Sequence, residues 1–327
     1  MEHSGYTYQS LDDLNSVRDR DDRSVLTICS MHPERFLALD VAHPDEVKHL
    51  TIILGFSNNE DFYYSRRVDK QLDKSWFYKY TDSLCSDITN FHNLETLVAE
   101  DLKLSTDLWI KFANNSKHLK EIHFSVCTSK QDFADDFDFY KKKDALDALF
   151  KIPTLEKVFF EKIHLPYFPP GPSNIKHLEL RVIGEYDQSD AYTEQVKSYA
   201  DHFSTHTNIK SLVLEQLSTT PYDVKDLKLD QMHQLEELTL NYWEIDIEPI
   251  LLLPNLKKLE YCTWFGKDDL FMKNMIKDPN LVFPSIEEVV IYVGNNPKID
   301  EIKKYLADVL KKQCFNIKKF VLNEQVF

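Results

Sequence analysis

The sequence predicts an α/β solenoid of short parallel strands backed by helices or irregular segments, and three regularities predict it. An apolar triple in the spacing L-x-x-L-x-L recurs ten times, its second position is Lys or Glu every time, and Asn stands immediately before it in five of the ten. Apolar triples alone carry little weight in a chain that is 43% hydrophobic, because short apolar runs arise by chance and do not separate strand from buried helix. The two companion regularities recur in phase with the triples, and composition does not supply that.

The ten cores begin at Val47, Leu94, Leu119, Leu155, Ile175, Ile209, Leu235, Leu256, Ile286 and Ile317, with Asn93, Asn174, Asn208, Asn255 and Asn316 in front of five of them. Three residues beyond a core an apolar residue usually returns, as at Leu102, Cys127, Ile163, Ile183, Leu217, Trp243 and Trp264. This extends the template to a leucine-rich repeat, in which the first apolar residues lie on a strand and the later ones turn the chain inward. The two tryptophans are therefore expected in the core. Apolar residues near three-and-four spacing predict helices over Asp107 to Ala113, Asp144 to Phe150, Thr193 to Phe203, Asp268 to Ile276 and Ile299 to Lys311.

Successive cores start 20 to 47 residues apart, against roughly 20 to 29 in regular leucine-rich repeats, so about ten irregular repeats are expected. Asp132 to Tyr140 and Glu185 to Thr193 read as loops in the longer gaps, and Pro166, Pro169, Pro170 and Pro172 as a stiff extended connection. The expected architecture is a curved horseshoe with parallel strands on its concave face and helices or irregular segments on its convex face. A repeat array shares one continuous core, so the chain divides into an N-terminal helical cap over 1–42 and a repeat domain over 43–327.

Charge and composition narrow the function. Lys and Arg total 39 against 54 Asp and Glu, a net charge of −15, which repels nucleic-acid backbones and anionic membrane surfaces. No apolar run approaches the length of a membrane span, and Met1 to Tyr8 is polar rather than signal-like, which reads as cytoplasmic or nuclear. The five cysteines are odd in number and contain no C-x-x-C pair, so they are expected reduced, without a zinc site. Six glycines include no phosphate cradle and no nucleophile elbow, and no enzyme activity or cofactor is expected. His202 and His206 share four-residue spacing, but lack the intervening Glu of a zinc helix and read as dipole partners at a helix C-terminus. Asp132, Asp135, Asp136 and Asp138 lack the glycine and terminal Glu of a calcium loop, so no metal is expected there either.

The segment ahead of the first core carries a resemblance. Leu14 to Ser30, followed by Arg35-Phe36, is a charged Asp-Arg turn leading into Ser24-Val25-Leu26-Thr27-Ile28-Cys29, read as a short amphipathic helix. It resembles the second half of an F-box. Ser75-Trp76-Phe77 to Leu97, then Leu104 to Cys127, resembles the opening repeats of the plant hormone-receptor F-box proteins. The resemblance covers about residues 14–127 and implies a substrate-receptor architecture, with Val25, Leu26, Ile28 and Cys29 contacting a Skp-type adaptor. An F-box opens with a Leu-Pro segment and a further helix, for which Met1 to Asp13 offers only Tyr6, Tyr8 and Leu11, so the F-box here is degenerate or truncated. The receptors' Lys-rich turn corresponds to Ile53-Leu54-Gly55-Phe56, which has no lysine, so their inositol phosphate does not carry over.

Strand side chains alternate between two sides, so the repeat frame assigns two outward columns. One runs Thr51, Val98, His123, Phe159, Glu179, Val213, Thr239, Glu260, Val290 and Val321; the other includes Ser125, Glu161, Arg181, Glu215, Asn241, Cys262, Tyr292 and Asn323. Within them Phe159, Glu161, Glu179, Arg181, Glu215, Thr239, Asn241, Glu260 and Tyr292 are the expected contacts for a protein partner offering basic and apolar groups. The function implied is a protein-interaction module. Its sharpest form is a substrate-recognition subunit of an SCF-type ubiquitin ligase; the alternative is a stand-alone leucine-rich-repeat scaffold or inhibitor.

Overall fold

The computed structural model describes residues 7–8, 24–29, 44–53, 87–100, 102, 105–125, 143–161, 167–181, 198–215, 227–241, 248–263, 282–283, 285–293, 308, 310–323 and 325–326. Cys127, Ile163, Ile183, Leu217, Trp243, Trp264, the acidic stretch 132–140, the polar stretch 185–193 and the helix expected over 268–276 lie outside the described residues. So does most of the stretch between the first two cores. The chain divides into two compact units, Met1–Ile163 and His164–Phe327.

The first unit contains β1 (Thr7–Tyr8), β2 (Val25–Cys29), β3 (His49–Ile53), β4 (Thr96–Glu100), α1 (Thr106–Asn115), β5 (Glu121–Ser125), α2 (Lys143–Phe150) and β6 (Lys157–Glu161). Each strand pairs in parallel with the next, in unbroken register from Val25↔His49 to Ser125↔Glu161. Leu26, Leu50, Leu97, Ile122 and Val158 thus occupy one buried row, and Ile52, Ala99, Phe124 and Phe160 the next. Helix α1 puts Trp109, Phe112 and Ala113 on its buried side at three-and-four spacing. Trp109 meets the edge of Phe124 at 5.0 Å, and Phe124 stacks on Phe160 at 5.8 Å, so the aromatic contacts run from helix to sheet.

Strand β2 corrects the expectation of an amphipathic helix at Val25, Leu26, Ile28 and Cys29. Three of its five residues are β-branched, the segment is too short to nucleate a helix alone, and β3 offers a matching edge. Leu26 is buried over Leu50, and so is not available to an adaptor.

The second unit contains β7 (His177–Arg181), β8 (Ser211–Glu215), β9 (Glu237–Asn241), α3 (Glu248–Leu251), β10 (Lys258–Thr263), β11 (Glu288–Val293), β12 (Lys319–Leu322) and β13 (Gln325–Val326). Strands β7 to β12 form a second parallel ladder. The last pair departs from the all-parallel expectation: β13 runs antiparallel to β12, through a turn opening at Asn323, whose φ of 44° suits asparagine. Strands therefore form at all ten cores, and β1, β2 and β13 add to them among the described residues. Both units carry the repeat frame, and the fold is an α/β leucine-rich-repeat solenoid.

The two sequence regularities acquire physical reasons. The asparagine before a core donates its Nδ2–H to a carbonyl in the turn of the preceding repeat: Asn93 to Asp45 at 2.8 Å, Asn208 to Ser173 at 2.7 Å and Asn255 to His233 at 2.8 Å. Where asparagine is replaced, Gln234 and Ser285 make a comparable bond to the turn carbonyls of His206 and Pro254, while Thr154 donates to Leu119, the first residue of the preceding core. The Lys/Glu position forms charged rows. Glu95 lies 3.8 Å from Lys48 and 2.7 Å from Lys120 in the first unit, while Glu236 lies 2.7 Å from Lys210 and 2.8 Å from Lys257 in the second. Lys318 continues the second row onto Glu287 at 2.7 Å. Hydrogen bonds from Lys210 and Lys257 bring Glu236 down to about 2, so this carboxylate keeps its charge down to strongly acidic pH. Such exposed pairs contribute little depth each and act chiefly on register.

The proline-rich connection in the second unit is held from one side. Gly171 N–H donates to Thr205 Oγ1 at 2.7 Å, and a Cβ on Gly171 would run into the Thr205 carbonyl. Phe168 packs against Phe203 at 4.5 Å and Tyr199 at 5.2 Å, which anchors the connection over the helical residues 198–202.

Replacing Asn208 by Ala should cost about 1 kcal/mol in urea unfolding, the worth of one hydrogen bond with its acceptor left unserved. Gly171→Ala should lower stability by about 1–3 kcal/mol through overpacking against Thr205, whereas a substitution at exposed Lys117 should be nearly silent in the same assay.

Candidate functional site

Alternation along β5 to β9 settles which of their side chains reach solvent. In β5 the burial alternates residue by residue, with Ile122 and Phe124 inside and Glu121, His123 and Ser125 half-exposed. The same alternation holds in β6, β7, β8 and β9. A row of side chains is thus presented by each unit on a hydrogen-bonded backbone.

In the first unit the row contains Val98, His123 and Phe159, with Ser125 and Glu161 two residues further along their strands. The His123 and Phe159 rings lie 5.5 Å apart at 44°, and His123 Nε2 is 3.6 Å from Glu161 Oε2. Lys157 on the same face is drawn to Glu121 at 3.1 Å.

In the second unit the expected contacts Glu179, Arg181, Glu215 and Asn241 come together with one residue not selected from the sequence, His177. Arg181 Nε donates to Glu179 Oε1, and Arg181 Nη1 lies 3.8 Å from Glu215 Oε2. His177 Nε2 is 3.7 Å from Glu179 Oε2, and Asn241 Nδ2 donates to Glu215 Oε2 at 3.5 Å. Burial by itself would raise the Glu179 pKa, but hydrogen bonds from His177 and Arg181 outweigh it and hold the carboxyl below its ordinary value. The side chains of Glu179 and Glu215 are only 16% and 18% exposed, while that of Arg181 is 44% exposed. The expected acidic contact surface is therefore a clamp: the carboxylates hold the guanidinium, and the guanidinium meets solvent.

The other expected contacts divide. Thr239, Asn241 and Glu260 are half-buried, Glu260 lies 3.5 Å from Lys258, and Tyr292 is exposed. Val290 and Val321, which the outward column includes, are instead core residues, paired in register on β11 and β12. Two adjacent apolar side chains lower the free energy by leaving water, and there they end the polar face.

His206 is buried with both ring nitrogens engaged, Nε2 on the Pro169 carbonyl at 2.8 Å and Nδ1 on Ser173 Oγ at 2.8 Å. Because Pro169 O can only accept, Nε2 carries the proton and Nδ1 accepts from the serine hydroxyl. Burial pushes the imidazole pKa below 6.5, against the smaller opposing effect of the Pro169 bond. It is a neutral core group rather than a cationic partner of a helix dipole, which corrects the sequence expectation. Cys314 is buried and its thiol is pushed up to about 12, far from a reactive thiolate. Among the described residues no group of three or more His, Cys, Asp or Glu side chains could hold a metal ion, and no helix is long and apolar enough to cross a membrane.

No family model matches the chain, and no curated protein matches it. Among solved structures it is similar to a chain of the crystal structure of the Rad7 and Elc1 complex in yeast. The two share 15% identity over 84% of this chain and 77% of that one, at a TM-score of 0.30. The fold assignment rests on the strand ladders themselves.

Since the folded-state pKa of His206 is depressed, its contribution to stability is complete above 6.5 and is lost as pH falls below that value toward the folded pKa. Wild type should therefore lose more stability between about pH 7.5 and about pH 5.5 than a His206→Gln variant, compared by urea unfolding at each pH. Parallel slopes for the two proteins would remove His206 as the source.

Proposed function

We propose that the chain is a protein-interaction module that uses its strand face, with Arg181 as the principal contact in the second unit. The observation that carries this reading is the clamp: an exposed guanidinium fixed by two largely covered carboxylates, on strands whose own backbone is hydrogen-bonded. Arginine so held has surrendered its rotamer freedom before a partner arrives, and that lowers the entropic cost of binding. Arginine is also among the residues on which interfaces concentrate their binding energy. The reading includes no catalysis by the chain itself, requires no cofactor or metal, and places the protein in the cytoplasm or nucleus, where its thiols stay reduced.

The sharper reading, a substrate-recognition subunit of an SCF-type ubiquitin ligase, is supported by the resemblance over residues 14–127. Residues Val25–Cys29 form a strand, so the helix through which that resemblance would grip an adaptor lacks support. We therefore favour the stand-alone leucine-rich-repeat scaffold or inhibitor, and direct binding to the adaptor separates the two.

Calorimetry of the full chain against its host's Skp-type adaptor should give no binding heat; micromolar or tighter affinity would restore the ubiquitin-ligase reading. Quantitative capture from host extract should recover a protein partner, whose retention falls roughly tenfold or more with Arg181→Glu. Glu236→Gln, in the charged row beside the face, should leave retention unchanged. Equal retention by Arg181→Glu and wild type would remove the strand face of the second unit as the docking surface.

A further inference from the structure

The turns that lead into the later strands of the second unit share one plan. From the core at Ile209 onward, the third residue before each core is buried and anchors its turn: His206, Met232, Leu253, Phe283 and Cys314. Residues beside these anchors reach solvent. Ahead of Ile209 and Leu235 they are polar, Thr205 and Thr207, then Gln231 and His233. In the last three repeats the same flanking positions turn apolar: Leu252 is 50% exposed, Val282 38% and Phe315 71%. They are three of the four large hydrophobic side chains exposed among the described residues, and the fourth, Tyr292, belongs to the same repeats. A single exposed apolar residue is ordinary on a protein surface, but three in phase with consecutive repeats are a patch. Hydrogen bonds set the three turns side by side. Ser285 Oγ donates to the Pro254 carbonyl at 2.6 Å, and Phe283 N–H donates to the Gln313 carbonyl at 2.8 Å.

We propose that this turn edge is a second docking surface, which receives a segment of a protein partner whose apolar side chains are flanked by carboxylates. The proposal rests on the protein-interaction reading but uses neither Arg181 nor the strand face. Charge selects the occupant. Lys311 and Lys312 close the helical residues before Phe315, both exposed and without an ion pair among the described residues, one turn after Asp308. Lys257 and Lys318, at the strand starts beside the turns, are already committed to Glu236 at 2.8 Å and Glu287 at 2.7 Å. The uncommitted charge at this edge is thus net positive, in a chain whose total is −15. A carboxylate beside the apolar contact meets those two ammonium groups within a Debye length, where they outweigh the distant acidic surface. An anionic bilayer is broad enough to meet the whole net charge and is repelled by it. A second copy seated by two-fold symmetry would bring the same lysines toward each other.

The test places a photo-cross-linker in the full chain, as Phe315→p-benzoylphenylalanine, and irradiates it in host extract. His233→p-benzoylphenylalanine, at the equivalent position of a polar turn, is the control. The expected result is a protein adduct whose attached peptide, read by mass spectrometry, is apolar with a net negative charge, at a yield about fivefold or more above that from position 233. Joint Lys311→Glu and Lys312→Glu substitution should lower the yield about threefold or more, and so should Leu252→Ser. All of these positions are exposed, and unchanged melting temperatures would show that the variants keep the fold. Equal yields at 315 and 233, a lipid adduct, an adduct to a second copy, a basic peptide, or indifference to the lysine reversal would each overturn the edge as this docking surface. Arg181→Glu separates the two levels of the argument. Retention lost in that variant with no cross-link at 315 overturns the edge and leaves the strand-face reading standing. The expected cross-link with retention unmoved by Arg181→Glu supports the edge and removes the strand face.

Discussion

One backbone carbonyl before each strand sets the geometry on which the rest depends. In the first unit the carbonyls of Ser24, Lys48, Glu95 and Lys120 each accept two successive N–H groups at the start of the next strand, as from Lys120 at 2.8 Å and Glu121 at 3.2 Å onto Glu95. In the second, Lys176, Lys210, Glu236, Lys257 and Glu287 do the same. This shared acceptor fixes equivalent residues of neighbouring repeats about 4.8 Å apart, the strand separation of any sheet. At that spacing every side-chain choice is repeated beside itself. Apolar positions stack into continuous buried rows, and a charged position must alternate in sign or suffer repulsion from its neighbour. The ladder favours alternation of Lys and Glu at the second core position and produces the ion pairs of Glu95 and Glu236, while Lys176 and Lys210 are like-signed neighbours that depart from it.

That constraint also explains how much of the fold was legible in the sequence. All ten cores form strands, because stacking demands the same apolar spacing at each, and the asparagines mark the turn-to-turn bonds of Asn93, Asn208 and Asn255. Helices α1 and α2 were legible for a separate reason: their buried residues, such as Trp109, Phe112 and Ala113, keep helical spacing. Strand β2 was misread because Val25–Cys29 contains one apolar cluster without a repeat core around it, and a run of five residues fits a short helix as well as a strand. Its pairing with β3 is tertiary information. Strand β13 is only two residues long, below the length at which any pattern is readable.

The face was legible in position but not in role. Alternation placed Glu179, Arg181 and Glu215 on one side of the sheet, and they are there. Sequence spacing does not report that Arg181 sits between two carboxylates from adjacent strands, nor that those carboxylates are mostly covered. Val290 and Val321 illustrate the opposite error, since a column that is outward in register can still close over apolar residues. His206 was conspicuous as one of two histidines at helical spacing, yet its partners Ser173 and Pro169 lie more than thirty residues earlier in the chain.

Charge acts on two length scales here, and they pull in different directions. The net charge of −15 extends over the whole surface and attracts cationic partners over roughly a Debye length, a sequence-independent preference. At contact distance the second unit offers the reverse, an exposed arginine whose countercharges lie beneath it. A partner that is merely basic gains from the first and meets local repulsion at Arg181. The surface therefore favours a partner that is basic in sum but carries a carboxylate or carbonyl where Arg181 waits. Selectivity of that kind comes from juxtaposed attraction and repulsion rather than from contact area. It needs side chains that cannot swing away, and the ladder of shared carbonyls holds their backbone in place.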